Sequence, residues 1–110
     1  MARLPKKFGS KEEERFYRAL EKQEIPFYYQ YAIYGGRRVR GGIVVDFVLT
    51  MFWQPVVIFG EHWHTGTLGA EDRLTLAKER QFFGREPVII WARELPDQAA
   101  ADLIVKQRFM

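Results

Sequence analysis

Along this chain two kinds of apolar spacing alternate. Residues 11–22, 70–83 and 97–109 place apolar side chains three and four apart, whereas residues 27–59 and 88–92 carry short unbroken apolar runs. The first spacing is that of helices and the second that of buried strands. Ser10-Lys11-Glu12-Glu13 reads as a capping box, so a helix is expected from Lys11 to Lys22, with Phe16, Tyr17 and Leu20 on its inner stripe. At about 100° per residue, Glu13 falls in the middle of that stripe and Glu14 points away. Pro26 closes the element. FYYQYAIY follows as a strand, glycine-bounded GGRRVRGG as a hairpin turn, and IVVDFVL as the second strand. Phe52-Trp53-Gln54-Pro55 is expected to be a loop and VVIF a third strand ended by Gly60. Ala70 to Phe83 has Leu74, Ala77 and Gln81 with Leu76 and Phe82 at mixed helical spacing, stopped by Gly84. PVIIWA is a fourth strand, and Pro96-Asp97 opens a last helix carrying Ala100, Leu103, Ile104 and Phe109.

The resulting order is α-β-β-β-α-β-α. Three consecutive strands joined by short turns favour an antiparallel meander, and a fourth that follows a helix favours parallel pairing through a crossover. A mixed sheet with helices on its faces is therefore expected, in one α/β domain spanning residues 1–110, with residues 1–9 a flexible basic terminus.

One residue breaks the apolar pattern. Asp46 stands among Val44, Val45, Phe47 and Val48, where an ionised carboxylate costs several kcal/mol unless it is paired, protonated or bound to a cation. The polar cluster Gly60-Glu61-His62-Trp63-His64 follows the third strand directly, and antiparallel pairing of neighbouring strands can bring it to Asp46. An aspartate with a main-chain carbonyl or second acid suits Mg²⁺, and a nearby imidazole can deprotonate an attacking water. The alternative for Asp46 is a turn-capping or arginine-paired aspartate, and for His62 a solvated loop histidine.

Composition narrows the chemistry. The 110 residues contain no cysteine, which excludes disulfides, thiolate zinc sites and cysteine nucleophiles. No apolar run approaches the roughly eighteen residues of a membrane span, and no apolar leader opens the chain; a soluble, unprocessed, cytoplasmic protein is the expectation. The net charge is only +3, yet Arg37, Arg38 and Arg40 sit in one turn without an acid, the best candidate for gripping phosphates. A solvated hairpin tip is the plainer reading of the same turn.

Taken in order, SKEEERFYRAL, IVVDFVL, GEHWH and GREPVIIWAREL resemble the very-short-patch-repair endonucleases (Vsr-like) and their short relatives, within the restriction-endonuclease-like, PD-(D/E)XK superfamily. The resemblance spans most of the chain. It implies a three-layer α/β/α domain with a mixed central sheet and a Mg²⁺- (or Mn²⁺-) dependent DNA endonuclease or nickase. Asp46 then resembles the metal-binding aspartate, His64 the histidine that activates water, and Glu13 the acid of the first helix. Asp72 lies one residue from a position where some relatives carry a further acid. Many superfamily members have Glu-x-Asp or Glu-x-Lys on the third strand, where this chain reads Val57-Ile58-Phe59. The repair enzymes use a main-chain carbonyl there, for which Ile58 is the analogue, and Glu61 is a substitute ligand. They also carry a histidine where Phe59 stands here, and a cysteine zinc site this chain cannot build.

The expected site is thus Asp46, His64, Glu13 and Glu61, with metal on Asp46, Ile58 and Glu61, and DNA on Arg37, Arg38, Arg40 and Trp53. Phe52-Trp53 suits a wedge between base pairs, although such aromatics more often pack. Trp91 is expected in the core and Glu94 at the surface. Two rival readings are a DNA-binding protein that keeps the fold without cleavage, and an imidazole zinc protein. A homodimer is compatible with the expected activity.

Overall fold

The protein's structure, a computed structural model, describes residues 7–60 and 69–110. Its elements are α1 (Lys11–Lys22), β1 (Phe27–Ile33), β2 (Ile43–Leu49), β3 (Gln54–Phe59), α2 (Ala70–Phe83), β4 (Val88–Trp91) and α3 (Gln98–Phe109), with 3₁₀ turns at Gly36–Arg38 and Ala92–Glu94. The sheet order is β1-β2-β3-β4; the first three strands are antiparallel and β4 runs parallel to β3. Three helices cover this mixed sheet in the expected α/β order.

Helices α1 and α3 begin where the sequence supplies a side-chain acceptor for unpaired amides, whereas α2 starts at Gly69 without one. Ser10 Oγ accepts from Glu13 N, and Asp97 Oδ1 from Ala100 N. Gly84, at φ 72°, closes α2 in the left-handed conformation that glycine adopts without steric cost. Phe16, Tyr17, Ala19 and Leu20 of α1 and Ala101 and Val105 of α3 bury against Phe47, Leu49, Val56 and Ile90 on one face of the sheet. Phe83 of α2 packs with Ile33, Val45 and Val48, with Tyr31 and Ile43 beside them. Helices α1 and α3 therefore cover one face and α2 the other, giving three layers.

The sheet is not uniform. Between β1 and β2 the register pairs Tyr29 with Phe47 and Tyr31 with Val45, skipping Gln30 and Asp46. Gln30 has φ 54°, a conformation uncommon for a side chain with a Cβ. Tyr29 and Phe47 face α1, whereas Tyr31 and Val45 face α2, so side-chain alternation changes phase at this pair. On the other side, β2 and β3 pair only from Phe47↔Val56 to Leu49↔Gln54. Asp46 thus stands where the β1–β2 ladder is interrupted without a change of register and where β2 parts from β3. The fork opens toward the end of the sheet that carries the β1–β2 turn and the ends of β3 and β4.

Several side chains depart from the sequence expectation. Gln54 and Pro55 belong to β3, not to a loop; parallel pairing with β4 starts only at Val56, so the missing Pro55 amide falls near the strand's start, where it is tolerated. The inner stripe of α2 is Leu76, Glu79 and Phe83, while Leu74 is 57% exposed and Phe82 39%. In α3 Leu103 is 54% exposed and Ala101 and Val105 are buried instead. Trp91 is half-buried at the end of β4 against Phe59, with the Arg93 guanidinium over its ring. No helix among the described residues is long and apolar enough to cross a membrane.

Candidate active site at the fork of the sheet

Asp46 replaces the broken ladder with its own side chain. Its Oδ2 accepts a hydrogen bond from Ile58 N at 2.9 Å, so the carboxylate spans the gap between β2 and β3. The contact to Ile58 is through its amide N–H. Burial raises the Asp46 pKa to about 6; the Ile58 bond opposes the rise and the charge of Glu13 adds to it.

Glu13 approaches from α1, as the helical spacing required. Its Oε1 accepts from the Tyr29 hydroxyl at 2.9 Å, and that hydroxyl accepts from Gly9 N at 3.0 Å and Gln30 Nε2 at 3.3 Å. The capping box is thus half-formed: Ser10 caps the Glu13 amide, but the Glu13 side chain turns to Tyr29 rather than back to Ser10. A Cβ at Gly9 would lie 2.6 Å from Glu13 Oε2, so any larger residue there would displace the Glu13 carboxylate. Glu14 points outward and pairs with Arg18 at 3.1 Å. Burial, above all, pushes the Tyr29 hydroxyl up to about 12, which keeps it a proton donor to Glu13.

The sequence reading missed Glu79. It sits between Leu76 and Phe83 on the inner stripe of α2, 1% exposed, and its Oε1 has no hydrogen-bond partner among the described residues. Burial and then the charge of Asp46 raise its pKa to about 8. An acid three residues after Leu76 and four before Phe83 was the available signal. Exposed Leu74 and Phe82 blurred it, because they suggested a different inner face.

Three carboxyl groups therefore converge electrostatically on the fork: Glu13 from one face, Asp46 within the sheet, and Glu79 from the other. None of the ion pairs among described residues includes any of them; those pairs are Glu12–Arg15, Glu14–Arg18, Lys22–Asp102, Arg80–Glu86 and Glu94–Arg108. Negative charge without a cationic partner among the described residues, together with an orphaned buried oxygen, fits a divalent ion held by oxygen donors. Among the described residues no three histidine or carboxylate side chains form a complete cage. Mg²⁺ does not require one, since it keeps several waters and binds through one or two carboxylates.

Arg37, Arg38 and Arg40 are exposed on the β1–β2 turn, at the end of the sheet toward which the fork opens. Lys78 Nζ of α2 donates to Gly41 O at 2.9 Å and adds a fourth basic group to this surface. Trp53 lies at the opposite end of β2, where its ring packs against Phe83 and Tyr31 at centroid distances of 5.2 and 5.7 Å. Asp72 is half-buried in the first turn of α2. Glu94 is half-buried rather than at the surface, accepting from Trp91 N and pairing with Arg108, both at 2.8 Å. Glu61, His62 and His64 lie outside the described residues.

With this geometry in view, one solved structure is informative: the catalytic domain of the homing endonuclease I-Bth0305I superposes with a TM-score of 0.60 at 17% sequence identity. The match covers 90% of this chain and 93% of that domain. The chain shares its fold with an endonuclease catalytic domain. No protein-family model and no curated protein matches it.

Proposed function

We propose that the chain is a Vsr-like, Mg²⁺- or Mn²⁺-dependent DNA endonuclease or nickase of the PD-(D/E)XK type, with its reaction centre at the fork of the sheet. The observation that carries this reading is Asp46 itself: a half-buried carboxylate placed where two strands part, without a cationic partner among the described residues, in a fold shared with an endonuclease domain. Asp46 holds the metal, with the main chain of Ile58 and the Glu61 side chain as further donors. A divalent ion there would lower the pKa of a water and neutralise charge on the scissile phosphate. Glu13, oriented by Tyr29, supports the site from α1. His64, in the Trp63–His64 pair that begins three residues after Gly60, takes the proton of the attacking water. Arg37, Arg38 and Arg40 bind flanking phosphates at the open end of the fork. One copy with one site nicks a single strand, and cutting both strands requires two copies.

The test is nicking of supercoiled plasmid by wild type and Asp46→Ala with Mg²⁺ or Mn²⁺. Losing several kcal/mol of transition-state stabilisation lowers the rate by about a thousandfold. Equal cutting by both proteins identifies a contaminant and ends the assignment. The apolar run Val57-Ile58-Phe59 favours one second reading, a non-cleaving DNA-binding protein. That reading gives salt-sensitive binding, weakened by removal of Arg37, Arg38 and Arg40, and no nicking with any metal.

A further inference from the structure

Glu79 is the one buried charged side chain among the described residues. Leu76 and Phe83, its neighbours on the inner stripe of α2, are buried apolar residues, and an aliphatic side chain at 79 would continue their packing at no electrostatic cost. Instead the position holds a carboxyl group that is 1% exposed, with Oε1 unpartnered among the described residues. Leaving such an oxygen unsatisfied costs about 1–3 kcal/mol even when the group is neutral, and more when it is charged. The negative charge of Asp46 acts on it as well and makes a second negative charge there costlier still.

Strand β3 shows the complementary deficit. Next to Asp46 it offers Val57, Ile58 and Phe59, with no acid among them, although the fork brings this strand within hydrogen-bond reach of Asp46. A helix on the other side of the sheet supplies a carboxylate where the strand does not. We infer that Glu79 of α2 is the second carboxylate of the Asp46 site, its orphaned Oε1 directed to the divalent ion or to a water of that ion's shell. This inference rests on the reading of Asp46 as a metal ligand, and it explains why an acid survives on an apolar stripe.

The test is Mn²⁺ binding to the full chain at pH 8, followed by calorimetry and by the Mn²⁺ resonance signal, for wild type, Glu79→Gln and Asp46→Asn. Glu79→Gln keeps the size of the side chain and removes a buried charge, so its metal-free melting temperature should equal or exceed that of wild type. Its Mn²⁺ affinity should fall at least tenfold, as should that of Asp46→Asn. Wild-type affinity in Glu79→Gln, with binding lost in Asp46→Asn, overturns the inference and leaves the nuclease reading standing. Wild-type affinity in both variants overturns both. If Glu79→Gln does not fold, Glu79→Asp provides the second readout: retained but weakened Mn²⁺ binding supports ligation, and unaltered affinity refutes it.

Discussion

The two halves of β2 do opposite work. From Phe47 to Leu49 the strand is paired on both sides, and all three side chains are fully buried. From Ile43 to Val45 it is paired on one side only, at Asp46 its alternation changes phase, and there it meets the charge of two further carboxyl groups. Cohesion is concentrated in the first half and unresolved charge in the second. A fold can tolerate such a fork because the adjoining half supplies rigidity, and a reaction centre gains from it because a polar group can stand inside the sheet with its ladder partners removed.

Substitutions in the two halves should separate stability from activity. The largest effect belongs to the charged half: Asp46→Asn retains an oxygen for the Ile58 amide, so urea denaturation should show equal or greater stability while plasmid nicking falls about a thousandfold. Phe47→Ala, one residue away, reverses the pattern. Its ring meets Phe16 at 4.9 Å and Tyr29 at 5.1 Å, and its removal should cost about 3–5 kcal/mol in the same denaturation assay, with nicking per folded molecule little changed.

The pH dependence comes next. Both Asp46 and Glu79 hold their protons more tightly in the folded state than in the unfolded chain, with pKa values raised from 3.8 to about 6 and from 4.5 to about 8. The unfolded chain therefore binds fewer protons between about pH 4 and 8, and stability without metal should decline as pH rises through that window, by a few kcal/mol in all. Glu79→Gln should flatten the upper part of the decline, and Mn²⁺ should restore wild-type stability at pH 8. A metal-free protein whose melting temperature is the same at pH 5 and pH 8 would remove the electrostatic contrast between the two halves.

Much of this was visible in the chain itself, and the omissions have physical causes. The capping serine fixed the start of α1 and thereby the inward direction of Glu13, because a helix has one period and one origin. Asp46 stood out because no apolar strand includes a carboxylate without compensation. The phase change at Gln30 was hidden, since glutamine carries no preference for positive φ and the break arises from the pairing of two strands. Glu79 was hidden by amphipathic noise: Leu74 and Phe82 are apolar yet exposed, so apolar spacing alone misdirected α2, while in α3 only Leu103 misled, Ile104 and Phe109 packing against the core as expected. Pro55 was read as a loop residue because proline is rare in strands, but at the start of β3 its missing amide is little needed.

The smallest effect tests how Glu13 is held. Tyr29→Phe deletes the hydroxyl that links Gly9 N to Glu13, which should cost about 1 kcal/mol and lower nicking less than Glu13→Gln does. The most direct measurement is a crystal grown with Mn²⁺ and examined at a wavelength where manganese scatters anomalously. An anomalous peak about 2.1 Å from an Asp46 carboxylate oxygen, inside the fork between β2 and β3, is the result this account requires. A fork filled by a guanidinium or ammonium group, with no manganese at Asp46, would contradict it.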